Sequence, residues 1–173
     1  MESGGLTMNE LGLTVLCAAS ALLLHSASCG PSSPTPDELD ALGTARLTIK
    51  AQPFLLWVAD DSAEQTQGLM FVTAERMTTL SDGTERGMIF IFDHERELSF
   101  WMRNTIIPLD IAYVDSQGKI VKTYTMAALD DRIGQYTSDA PARYAIEVNA
   151  GVWDRLGVTA GDRIEIPSTL LKH

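Results

Sequence analysis

Cysteine is nearly absent from this chain, and histidine is scarce. The 173 residues contain two cysteines, Cys17 and Cys29, and three histidines. Cys17 lies in a leading apolar segment that reads as an export signal, so the mature chain keeps Cys29 alone. An internal disulfide, a Cys-based zinc site and a Cys nucleophile are therefore excluded from the folded domain. His25 is lost with the signal, His173 is terminal, and His94 sits in the charged run Asp93-His94-Glu95-Arg96, where an imidazole beside carboxylates is ordinary. Ser-His-Asp and metal-hydrolase schemes, which need positioned imidazoles, are poorly served. Basic residues are also few, 13 against 23 acidic, for a formal charge of −10. With no basic run to meet phosphates, nucleic acid is not an expected partner. A Gly-rich phosphate loop and internal repeats are missing as well.

Residues 11–24 form an apolar run of 14 residues, shorter than the roughly 20 that span a bilayer as a helix. Small residues Ser26, Ala27 and Ser28 follow, and then Cys29. This layout predicts an export signal over 1–28. A Cys directly after small residues resembles a bacterial lipoprotein signal, in which that Cys carries the lipid and begins the mature chain; ordinary cleavage and release is the alternative. Residues 29–43 are rich in Pro and Ser and read as a semi-rigid tether. The expected location is the cell envelope or periplasm, with membrane contact through the lipid alone.

From Cys29 onward the chain keeps all 13 basic and 21 of the 23 acidic residues, a formal charge of −8. One domain is expected over 44–168, with a tail at 169–173. Residues 45–51 alternate apolar and polar, as a half-buried strand does, and 54–58 are continuously apolar. Residues 62–65 carry a capping-box pattern for a short helix ending near Gly68. Residues 88–92 and 98–102 flank a charged stretch, 93–97, and predict a hairpin. Residues 109–115 and 119–126 predict a second hairpin around Ser116-Gln117-Gly118. Residues 144–148 alternate again. Asn149 is placed to cap a short helix ended by Gly157, and 162–166 reads as a last strand. The expected fold is mainly β, a sandwich or partly open barrel of seven to eight short strands with two short helices. Trp57 and Trp153 sit in apolar patterns and read as core anchors.

Several blocks together carry a resemblance: Gly68-Leu69-Met70-Phe71, then residues 87–92, then Phe100-Trp101-Met102-Arg103-Asn104-Thr105 with residues 107–111. They continue through Tyr136, Ser138 and Pro141-Ala142 to residues 146–151 and Gly161-Asp162. In this order and spacing they resemble the domain-of-unknown-function 192 family, whose members are bacterial and archaeal and often exported. Val72 stands where an Arg is common in that family. The resemblance implies a mainly β, sandwich-like fold and no established activity.

The chemistry is then argued from residues. The segment 100–110 crowds Trp101 and Met102 against Asn104, Thr105 and Asp110 around a Pro108 bend. With Glu147, these supply an apolar platform and convergent polar groups, the make-up of a small-ligand site. The alternative is that Asn104, Thr105 and Asp110 satisfy backbone groups where a strand ends. If the protein were an enzyme, Asp110 and Glu147 would be its acid and base, facing each other across a cleft in a glycan hydrolase. Met70, Met88 and Met102 could hold Cu(I) in an oxidising compartment, against the commoner reading of Met as core filler. No cofactor is implied. The reading that follows is a non-catalytic domain binding a small ligand or envelope component. A carboxylate-dependent hydrolase and a pure scaffold are its alternatives.

Overall fold

In the computed structural model, residues 36–171 are described, and the expected export signal, Cys29, the first part of the expected tether and the last two residues lie outside them. Six strands form one open sheet in the order β1-β2-β3-β6-β4-β5. They are β1 (Thr44–Ile49), β2 (Gln52–Ala59), β3 (Glu85–Phe100), β4 (Leu109–Val114), β5 (Ile120–Met126) and β6 (Tyr136–Asn149). β2 and β3 run parallel and every other neighbour pair is antiparallel. Three short helices, α1 (Pro36–Ala41), α2 (Ser62–Gln67) and α3 (Val152–Leu156), and a final 3-10 turn (Ser168–Leu170) accompany the sheet. None of the described helices is long and apolar enough to cross a membrane.

Each face of the sheet has its own core. Side chains alternate across a strand, so cross-strand partners share a face. Trp57, Met88, Phe90, Ile111, Tyr113 and Ala145 pack on one face with Leu39, Leu69 and Met77 from the segments over it. Leu56, Ile89, Ile91, Ala112, Ile146 and Val148 pack on the other, with α3 and the C-terminal segment. All six residues of β4 are buried. Trp57 and Trp153 each anchor one of these cores.

The strand count falls short of the expectation for two reasons. Residues 88–92 and 98–102 do not form a hairpin: they belong to the single long strand β3 and its exit. The charged residues between them bulge out, since Ile91 faces Tyr144 while Arg96 already faces Ala142. Residues 93–97 stay in water this way, and Leu98 returns to the core. A second irregularity at Glu97 and Ser99 is closed by Ser138, whose hydroxyl accepts the Leu98 N–H at 2.9 Å and donates to the Ala140 carbonyl at 2.6 Å. Residues 162–166 contribute an isolated bridge, Lys119 to Arg163, instead of a strand. A single sheet with both faces covered replaces the expected sandwich or barrel.

Local chemistry explains the helices. Asp61, one residue earlier than expected, caps α2 and Glu64 reaches back to the Asp60 and Asp61 N–H groups. Gln65 is thereby free to donate to the Ile91 carbonyl at 2.8 Å. α1 lies inside the expected tether. Pro36 opens it, where a missing N–H does no harm, and Leu39 buries against the core. Asn149 is not the cap of α3; it donates to the Met77 carbonyl at 2.7 Å and fastens the segment beyond α2. The second predicted hairpin, β4–β5, is formed with Gly118 at φ 78° in its turn.

Candidate functional site

The chain leaves β3 at Phe100 and turns sharply before β4. Asn104 adopts a left-handed conformation, φ 59°, and its carbonyl accepts the N–H of Phe71, itself at φ 61°. The Thr105 carbonyl accepts the N–H of Leu129, φ 59°, while the Met102 N–H donates to the Asp130 carbonyl. The turn is thus clamped from both sides by residues whose backbone is strained, since left-handed geometry is unfavourable for side chains other than Gly and, to a lesser degree, Asn. Strain of this kind concentrates at functional sites and persists only where the surroundings enforce it.

Asp110 faces the core that holds α3. Its Oδ1 accepts the Thr125 hydroxyl at 2.7 Å and its Oδ2 accepts the Trp153 N–H at 2.9 Å. α3 begins at Gly151 without a side-chain cap of its own, so Asp110 caps it from a distant strand. A helix start has unpaired N–H groups and a positive end, and a carboxylate there satisfies both. Asp110 is 1 % exposed and both oxygens are used. It lines none of the cavities described below.

Glu147 is in the opposite situation. It pairs across the sheet with Met88 on one side and Ile111 on the other, both fully buried. Among the described residues none donates a hydrogen bond to its carboxyl, and burial alone pushes that group up to about 8. The same charge contributes, after burial, to raising the Tyr113 hydroxyl beyond its ordinary range. Glu147 lines a cavity of about 380 Å³ between α2, the following Gly68-Leu69-Met70 and the exit of β3. Phe90, Phe92, Phe100 and Trp101 give this cavity an aromatic wall, and Thr105, Gln67 and Arg96 also line it. The Gln67 Nε2 is buried and unpartnered. Phe100 stands edge-on to Phe90 at 4.9 Å, and the Arg96 guanidinium lies against Phe92 at 4.9 Å.

Trp101, Thr105 and Glu147 therefore share one cavity, Asn104 builds the turn beside it, and Asp110 lies elsewhere. A carboxylate pair facing each other across a cleft is not formed. The three methionines separate similarly: Met88 and Met102 are fully buried in the core, while Met70 lines the cavity and its sulfur receives the Asn104 Nδ2 at 3.8 Å. No cluster of His, Cys, Asp and Glu suited to a metal occurs among the described residues. Gln67, Phe90, Phe92, Arg96 and Phe100 were not expected at the site. The aromatics alternate along β3 on one face, a pattern that sequence reading assigns to the core, and Gln67 carries no signal beyond preceding Gly68.

Comparison with known proteins places these features in a family. The model of DUF192, described as an uncharacterised ACR, matches residues 45–166. A crystal structure of a provisionally assigned transcription regulator from Sinorhizobium meliloti 1021 is 31% identical, with a TM-score of 0.62, covering 72% of this chain and 94% of that one. A protein of unknown function from Novosphingobium aromaticivorans DSM 12444 is 30% identical, with a TM-score of 0.61, covering 80% of this chain and 94% of its own. No curated protein matches. With the matched segment running from β1 to the residues beyond α3, this chain belongs to the DUF192 family.

Proposed function

We propose that the protein is a non-catalytic small-ligand-binding domain, exported and held at a cell-envelope membrane by a lipid on Cys29. Glu147 carries the binding half of this reading. A carboxyl kept for the fold is paired, as Asp110 is; Glu147 is buried without a partner at an aromatic-lined cavity. The cavity joins this aromatic wall to polar groups that include Ser99, Thr105 and Arg96, and apolar surface with convergent polar groups is the usual form of a ligand site. Catalysis by two carboxylates is not supported, because Asp110 lies on the other face. The acidic balance of the chain does not favour nucleic acid, so the description of the Sinorhizobium meliloti relative is not extended to this chain.

A chemically mixed fragment library, screened by amide NMR, tests the binding half. Hits should move the signals of Gly68, Met70, Ser99, Trp101 and Thr105 together; hits scattered over the surface would overturn it. Export and anchoring rest on residues 11–29 of the sequence. Cys29→Ala should release the protein from the membrane fraction, and unchanged fractionation would remove the lipid from the account.

A further inference from the structure

Two orphan polar groups meet the cavity, and they differ in kind. Glu147 offers a carboxyl with no partner, and Gln67 offers an N–H with no acceptor. Both line the same space, where an aromatic wall of Phe90, Phe92, Phe100 and Trp101 faces a polar one. We propose that the site takes a small, neutral, flat apolar molecule bearing a carboxamide-type group, its N–H set against Glu147 and its C=O against Gln67. The inference rests on the binding reading above and names the ligand class for that site.

Counting hydrogen-bond capacity separates this class from its rivals. An amide carries a donor and an acceptor on one uncharged group, so it matches the two orphans in kind and brings no charge into the cavity. An ammonium would pair with Glu147 but leave the Gln67 N–H unsatisfied, and it would share the cavity with the Arg96 guanidinium. It would also be stripped of its own hydration, which is expensive for an ion. A carboxylate could accept from Gln67 and pair with Arg96, but it brings no donor for Glu147, and beside that group it would need to share its proton or face like charge. The flat body follows from Phe90, Phe100 and Trp101, which offer faces and edges for stacking.

Three probes with one ring system test this: indole-3-acetamide, tryptamine and indole-3-acetate, titrated into the isotope-labelled full chain at neutral pH. The amide should bind at least about tenfold more tightly than the other two, the factor that one satisfied hydrogen bond supplies. Glu147→Leu and Gln67→Leu should each weaken the amide about tenfold; both variants replace an unpartnered polar group with an apolar one of similar size and should fold. Tighter binding of tryptamine or indole-3-acetate at the cavity overturns the ligand class and leaves the binding reading standing. Amide binding indifferent to both variants overturns the class as well. If no probe moves the signals of cavity residues, the ligand class falls, and the binding reading then stands or falls on the fragment screen.

Discussion

Glu147 lies opposite Ile111 in the β4–β6 register, while Asp110 lies opposite Val148. That one-residue offset puts the two buried carboxyls on opposite faces of the sheet, because successive side chains on a strand point to opposite sides. One carboxyl became part of the scaffold and the other part of a cavity. Their different surroundings lead to different expected responses to mutation and pH.

Asp110→Asn should lower the melting temperature without disturbing the cavity. The amide keeps one acceptor oxygen for either the Thr125 hydroxyl or the Trp153 N–H, and the other is left unsatisfied. A buried group that loses its partner costs about 1–3 kcal/mol. Thermal melts by circular dichroism check the loss, and an unchanged melting temperature would contradict the capping role.

Stability should depend on pH through Glu147. The carboxyl has an ordinary value of 4.5 and is pushed up to about 8 by burial. Between these values the folded protein holds a proton that the unfolded chain releases. The group's contribution is therefore fully present below 4.5 and is lost as pH rises to about 8, with no further change above. Glu147→Gln should remove this slope. Urea unfolding of both proteins across that range gives the difference directly; a difference independent of pH would show that the carboxyl is not held neutral by burial.

Gly87→Ala should damage the sheet and the cavity together. A Cβ there would sit 2.2 Å from the Glu147 backbone oxygen, closer than any relaxation of side chains alone can relieve. β3 and β6 must part locally, at about 1–3 kcal/mol or more. The expected result is a lower melting temperature with amide shifts at Met88 and Glu147, and a variant as stable as the parent would refute the close approach.

Position 104 should tolerate Gly and reject Val. Asn104 stands at φ 59°, where Gly is unstrained and a β-branched side chain is not; left-handed backbone costs roughly 1–2 kcal/mol for ordinary L-residues. Comparing melts of Asn104→Gly and Asn104→Val tests whether conformation or the Asn amide matters. Equal losses in both would assign the role to the side chain.

Periodicity in the sequence was enough to place β1, β2, the β4–β5 hairpin, α2 and α3, because each is governed by neighbours in the chain. The capping box of α2, expected at Ser62 and found one residue earlier at Asp61, and the Gly157 stop are local in this sense. The segment 100–110 was legible as an unusual place, and Trp101 and Thr105 do line the cavity. The long β3 was not legible, because a charged run between apolar runs looks like a turn unless the partner strand is known. β6 supplies that partner and converts the run into a bulge.

The roles of Asp110 and Glu147 were beyond the reach of composition and spacing. Whether a carboxyl is satisfied or orphaned depends on what the opposite strand and the packed helix bring to it, here Thr125 and Trp153 for one, Met88 and Ile111 for the other. The sequence by itself determined which segments extend, where they turn and which residues are rich in chemistry, since these follow from local backbone preference and alternation. Only the tertiary structure decided which face each residue occupies and which polar groups lack partners, since strand register and long-range packing set both.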